Sequence, residues 1–240
     1  MSVFAELPMQ LIKRVAYKLN GFGPRPNRPR PHLATFNRAV FHRSLYLQGL
    51  YSSIESIPGS IVECGVGQGQ GTALWISLAL LEGKNRRVWA FDSFEGFPAL
   101  AAEDEATDAF EEGLQEYRQF DIPYVRQTLI DFGIASADID RSASFVKGFI
   151  PDSCDKYDGS EIALLYIDLD IFEGYRDALL YFFDKVSPNG VIAFDEYLKP
   201  LDTHKWPVAV KAINEFLDAR GLRNHLQVCP LTGNRYLIKT

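Results

Sequence analysis

A doubly wound α/β fold, with helices on both faces of a mostly parallel seven-stranded sheet, is predicted by three features of the 240-residue sequence. From residue 60 onward, short β-branched and aromatic runs alternate with helical patterns, the order that builds a parallel sheet. Those runs are apolar at consecutive positions, so neither face of the sheet is expected to meet water. Glycines and acidic residues gather where the runs stop. Sheets of this kind bind ligands beyond the carboxyl ends of their strands, near the point where strand order reverses.

The elements follow in order. Leu7, Leu11, Val15 and Leu19 fall at helical spacing, and the Gly- and Pro-rich stretch from Gly21 to Pro31 cannot continue a helix, so it reads as an extended arm. Its arginines read as solubilising charge. A second helical periodicity runs from Leu33 to Ile57 and is closed by Pro58-Gly59. Residues 1–57 are thus expected to form a helical and arm-like extension, and residues 58–240 the main domain.

Within that domain, strands are predicted at Ser60–Cys64, Val88–Asp92, Ala143–Phe149, Ile162–Asp168 and Val191–Asp195. Helices are predicted at Thr72–Glu82, Ile122–Phe132, Tyr175–Val186 and Trp206–Arg220. Leu226–Cys229 and Arg235–Lys239 read as a final antiparallel pair around Thr232-Gly-Asn. Between residues 99 and 121 an acidic stretch holds Glu103, Asp104, Glu105, Asp108, Glu111, Glu112 and Glu116. It reads as a solvated helical face, with a lid over a site as the alternative.

Composition excludes several classes of function. A net charge of −6 argues against a broad nucleic-acid surface and leaves small molecules or proteins as partners. Cys64, Cys154 and Cys229 form no CxxC, which fits a reducing cytoplasm and no structural zinc. The longest uncharged apolar stretch, Thr72 to Leu81, is too short to span a bilayer. At the N-terminus Glu6, Pro8, Gln10, Lys13 and Arg14 interrupt any signal-like apolar run.

Chemistry is expected at three strand ends. The first strand leads into Glu63-Cys-Gly65-Val-Gly67-Gln-Gly69-Gln-Gly71-Thr72, a turn that lets backbone amides approach a ligand. Neither the GxGxxG dinucleotide spacing nor a P-loop is present. Glu63 suits a cationic amine. The second strand ends at Asp92-Ser93, where an acid about twenty-five residues past the glycines can accept both hydroxyls of a ribose. A ribose, an amino acid and no phosphate together describe S-adenosylmethionine. The fourth and fifth strands end at Asp168 and at Asp195-Glu196, and neighbouring strands would bring these acids together. Carboxylates so close repel one another unless a cation neutralises them. An all-oxygen donor set calls for a hard divalent ion, Mg²⁺ first and Mn²⁺ or Ca²⁺ next. Asp170 points along the same edge and could ligate, orient a ligand or cap the next helix.

The segments VECGVGQGQGT (62–72), FDSFEGFP (91–98), KGFIPDS (147–153), LLYIDLDIFEGY (164–175) and NGVIAFDEY (189–197) resemble, in this order, the macrocin and mycinamicin sugar O-methyltransferase family. The likeness extends from about Tyr46 to the C-terminus. It implies the Rossmann-like class I methyltransferase fold, S-adenosylmethionine and Mg²⁺ as cofactors, and a sugar or sugar-bearing small molecule as hydroxyl acceptor. It also implies cofactor contacts from Glu63, Gly65, Gly67, Gly71, Thr72, Asp92, Ser93, Gly148 and Phe149, and metal ligation by Asp168, Asp195 and Glu196. The family usually has a bulky residue and Arg where this chain has Gly67-Gln68, and Asp-Asp-Tyr where it has Asp195-Glu196-Tyr197. For the acceptor proton, Asp168 or Asp170 is the first base to consider and His204 or Lys199 the second. Phe94, Phe97, Phe172, Tyr197 and Trp206 are either acceptor-pocket lining or core. A catechol-like acceptor and a non-catalytic module of the same fold are the competing readings. The N-terminal extension is suited to wrapping a neighbouring subunit or covering the pocket.

Overall fold

Sheet order places the strand ends that matter side by side. The computed structural model describes residues 38–84, 86–98, 120–197 and 207–240. Its seven strands are β1 (Ser60–Cys64), β2 (Val88–Asp92), β3 (Ala143–Lys147), β4 (Ile162–Ile167), β5 (Val186–Phe194), β6 (Gln227–Val228) and β7 (Arg235–Ile238). They are arranged in the order β3-β2-β1-β4-β5-β7-β6. The first five run parallel, and β7 returns antiparallel between β5 and β6. Chain order reverses between β1 and β4, the position at which such sheets open a crevice.

The helices are α1 (Arg38–Ser53), α2 (Gln70–Glu82), α3 (Ile122–Phe132), α4 (Ser136–Ser142), α5 (Phe172–Phe182) and α6 (Pro207–Ala219). Together with the sheet they lie in one compact unit, Asn37–Thr240. Successive strand residues alternate between two cores. Val62, Phe91, Leu165, Ile167 and Phe194 pack with α5 and α6 through Tyr175, Phe182 and Phe216. Ile61, Ala90, Leu164, Tyr166 and Ala193 pack with α1, α2 and α3 through Leu47, Trp75 and Leu129. Every residue of β1 and β4 is buried, as strands covered on both faces require. Local chemistry sets the helix ends. Asp121 caps α3 by accepting the Tyr124 amide at 2.8 Å, and Gly83 and Gly133 close α2 and α3 in the left-handed conformation.

Several boundaries differ from the sequence reading. The helix expected at Tyr175–Val186 begins at Phe172 and ends at Phe182. The strand expected at Val191–Asp195 starts at Val186, because Pro188-Asn-Gly190 forms a bulge rather than a turn: Val186 pairs with Ile162 and Val191 with Leu164. Ala143–Phe149 is strand only to Lys147, and the last pair is shorter than expected. The helix predicted from Leu33 to Ile57 covers Arg38–Ser53. The short helix α4 had no counterpart, since SADIDRS is mostly polar. The acidic residues 99–119, the N-terminal arm, Lys199, His204 and Trp206 lie outside the described residues. Among the described residues no helix is long and apolar enough to cross a membrane.

Candidate active site

Backbone contact between two strand ends forms the floor of the site. The Gly65 amide donates to Phe91 O and the Asp168 amide to Cys64 O, each at 2.8 Å, which ties the turn after β1 to β2 and β4. Gly65 has φ +93°, and a Cβ there would sit 1.8 Å from the Asp168 carbonyl oxygen, so no other residue fits. At Gly71 a Cβ would sit 2.1 Å from Glu63 Oε1. Above this floor lies a cavity of about 560 Å³.

The residues expected to bind the donor fall around that cavity with one exception. Glu63, Gly65, Gly67, Gly71 and Asp92 line it, as do Ser93, Gly148 and Phe149. Phe149 is 38% exposed on the cavity wall, where its ring is available to a flat ligand. The exception is Thr72, which is fully buried behind Glu63 and donates its hydroxyl to Glu63 Oε2. Thr72 therefore acts on Glu63 and does not reach the cavity wall. Burial raises the Glu63 carboxyl to about 8 against the opposing hydrogen bond from Thr72. Asp92 holds the glycine turn: Oδ2 accepts the amides of Val66 at 2.8 Å and Gly67 at 3.2 Å, and Oδ1 accepts the Phe94 amide at 2.7 Å. Asp92 was expected to accept both hydroxyls of a ribose, and its Oδ2 is already committed to two loop amides. Ser93 shapes the turn after β2 by donating to Gly96 O at 2.5 Å.

On the opposite wall, Asp168, Asp195 and Glu196 converge, each offering an oxygen within 4.8 Å of the others. Asp168 follows β4 and Asp195 follows β5, and the parallel pairing Ile167↔Phe194 puts them abreast. Glu196 is 6% exposed, and its Oε2 accepts a hydrogen bond from the Tyr175 hydroxyl. Burial, then the charges of Asp168 and Asp170, raise its carboxyl well above the ordinary range. Asp168 is pushed up to about 6 by burial first and Asp195 next, against the pull of Arg43. Asp170 lines the same cavity with φ +63°, a strained conformation for a non-glycine residue. The donor set is hard, oxygen-only and clustered, which fits Mg²⁺ or Mn²⁺ and not zinc.

Arg43 is the residue that sequence reasoning missed. From α1 its Nη2 donates to Asp168 Oδ2 at 2.8 Å and its Nη1 to Asp195 Oδ1 at 2.7 Å. Partial neutralisation of the acids is thus built into the chain itself. A signal existed: Arg43 lies three, four and seven positions before the buried Tyr46, Leu47 and Leu50, on the apolar stripe of its helix. Phe94, Phe172 and Tyr197 are buried as core, while Phe97 lines the cavity.

The chain has recognisable relatives. Residues 47–236 match the family described as macrocin-O-methyltransferase (TylF). The chain is 26% identical over 179 residues to mycinamicin III 3''-O-methyltransferase of Micromonospora griseorubida, covering 72% of this chain and 65% of that one. It is 29% identical over 147 residues to 8-demethyl-8-(2,3-dimethoxy-alpha-L-rhamnosyl)-tetracenomycin-C 4'-O-methyltransferase of Streptomyces olivaceus, covering 60% of this chain and 54% of that one. It therefore spans between half and two thirds of the length of these curated relatives. Among solved structures, the O-methyltransferase NovP superposes with a TM-score of 0.71 at 21% identity, over 83% of this chain and 80% of that one. A calicheamicin methyltransferase gives 0.67 at 25% identity, over 98% and 94%. The Rossmann-like methyltransferase fold follows from the sheet and these neighbours together. Because the family match takes in the glycine turn, Asp92 and all three clustered acids, the chain belongs to the macrocin-O-methyltransferase (TylF) family.

Proposed function

We propose that the chain is an O-methyltransferase that moves the methyl group of S-adenosylmethionine to a hydroxyl of a sugar or glycosylated small molecule, with a divalent ion, Mg²⁺ first, at Asp168, Asp195 and Glu196. One observation carries this reading: a single cavity joins the glycine turn, Glu63 and Asp92 on one wall to the clustered carboxylates on the other. The relatives named above are methyltransferases for glycosylated natural products, which supports a sugar-bearing acceptor.

Methyl transfer from sulfonium to oxygen is an in-line displacement, and holding the reactants in attack geometry supplies on the order of 7–11 kcal/mol. In this reading Glu63 receives the donor's ammonium group, because a cation beside a buried carboxyl favours its ionised form. Asp92 Oδ1 accepts a ribose hydroxyl while Oδ2 keeps the turn in shape. Gly148 leaves room beside Phe149, whose exposed ring stacks on the adenine. When bound, the ion supplies positive charge that lowers the pKa of an acceptor hydroxyl. Asp170, on the cavity wall beside Glu196, takes the hydroxyl proton onto a carboxylate oxygen.

Calorimetric titration with S-adenosylhomocysteine tests the donor half of the proposal. One molecule is expected to bind per chain, and Phe149→Ala to weaken binding about tenfold. Absence of any binding heat with either the donor or its demethylated product would contradict it.

A further inference from the structure

We propose that Arg43 is a positioning residue that competes with a divalent cation for the Asp168 and Asp195 carboxylates and so sets the metal affinity of the site. The inference rests on the metal reading above and adds a residue to it.

The geometry is specific. One guanidinium bridges the ends of two neighbouring strands, with Nη2 on Asp168 at 2.8 Å and Nη1 on Asp195 at 2.7 Å. Each of these bonds from the guanidinium fork is charge-assisted, a kind roughly twice as strong as a neutral hydrogen bond. Asp195 Oδ1 also accepts the Tyr166 hydroxyl, so with Arg43 in place two donors fill that oxygen. An ion approaching the cluster therefore meets one blocked oxygen on Asp195 and one engaged oxygen on Asp168. It also meets a like charge close by, whose repulsion opposes its binding.

Arg43 is held firmly at one end and loosely at the other. Its helix is anchored by the buried Tyr46, Leu47, Leu50 and Ile54, whereas its own side chain is 36% exposed and lines the cavity. Glu196, in contrast, is pinned by Tyr175 within the core. The fork thus keeps the two aspartates converged and yields its oxygens to a more highly charged ion.

Mn²⁺ titration of the chelator-treated full chain, with free Mn²⁺ read by electron paramagnetic resonance, tests this without any activity measurement. Arg43→Gln removes the charge and the fork, and its Mn²⁺ affinity is expected to rise about tenfold. Arg43→Lys keeps the charge and loses the fork, so its affinity is expected to rise by a smaller factor. In the same series Mn²⁺ should raise the unfolding temperature of Arg43→Gln more than that of the parent. Equal or weaker Mn²⁺ binding by Arg43→Gln, with the parent binding normally, overturns the competition and leaves the metal centre standing. Failure of both parent and variant to bind Mn²⁺ overturns the metal centre and the inference together. Should Arg43→Gln not fold, Arg43→Lys decides, an unchanged affinity contradicting the proposal.

Discussion

At the amino ends of β1 and β2, Arg86 places all five of its N–H donors. Nη1 bonds Ile57 O and Gly59 O, Nη2 bonds Ile54 O and Glu82 Oε1, and Nε bonds Glu82 Oε2, all between 2.6 and 3.1 Å. Tyr51 completes the set by donating to Glu82 at 2.7 Å. Although burial would raise it, the bonds from Arg86 and Tyr51 pull the Glu82 carboxyl down to about 2. At the carboxyl ends of β4 and β5, Arg43 faces Asp168 and Asp195 with Asp170 and Glu196 beside them, and burial raises the Asp168 and Glu196 carboxyls. The same residue type thus closes one end of the sheet and leaves the other rich in acceptors. Matched donors and acceptors make a structural clamp, and a surplus of carboxylates opening on a cavity makes a place for cations.

Three changes sharpen or break that contrast. Arg86→Ala leaves Glu82 charged and its carbonyl partners unpaired, and is expected to lower the free energy of unfolding in urea by about 3–5 kcal/mol. S-adenosylhomocysteine binding by the folded fraction should be unchanged. A loss below about 1 kcal/mol would deny the clamp its role. Asp195→Ala at the other end is expected to reduce methyl transfer by more than about 100-fold while moving the urea midpoint little. A large stability loss with activity retained would reverse the assignment of the two ends.

The third change acts on a pH slope. With its folded pKa raised to about 8 from an ordinary 4.5, Glu63 stays protonated in the folded chain while the unfolded chain ionises. Its contribution is therefore fully present below about pH 4.5 and is lost as pH rises toward 8, at up to about 1.4 kcal/mol per pH unit. Glu63→Gln should flatten this part of the curve measured on the ligand-free chain. An identical slope in parent and variant would remove Glu63 as its source.

Much of this arrangement was legible in the residues. The run IALLYI followed by Asp168, and VIAF followed by Asp195-Glu196, state both a buried strand and the acid at its end, because apolar continuity and an abrupt charge are local signals. The glycine turn was legible for the same reason. The early start of β5 was not legible, because the bulge at Pro188-Asn-Gly190 shows only in the pairing with β4. Asp92 was legible as the acid closing β2, but its grip on Val66 and Gly67 was not, since loop amides have no side-chain signature. Thr72 was assigned to the ligand although it serves Glu63. The place of Arg43 on the apolar stripe of α1 was legible, but not its partners, which lie 125 and 152 residues away.

Transfer of a labelled methyl group from S-adenosylmethionine to a panel of glycosides and aromatic diols, with and without chelator, tests most directly that both walls of the cavity serve one reaction. Label is expected on a glycoside hydroxyl, lost with chelator, restored by Mg²⁺ and absent with Asp195→Ala. Transfer that proceeds undiminished in chelator and in Asp195→Ala would contradict it, as would the absence of transfer to every acceptor by a chain that binds both donor and metal.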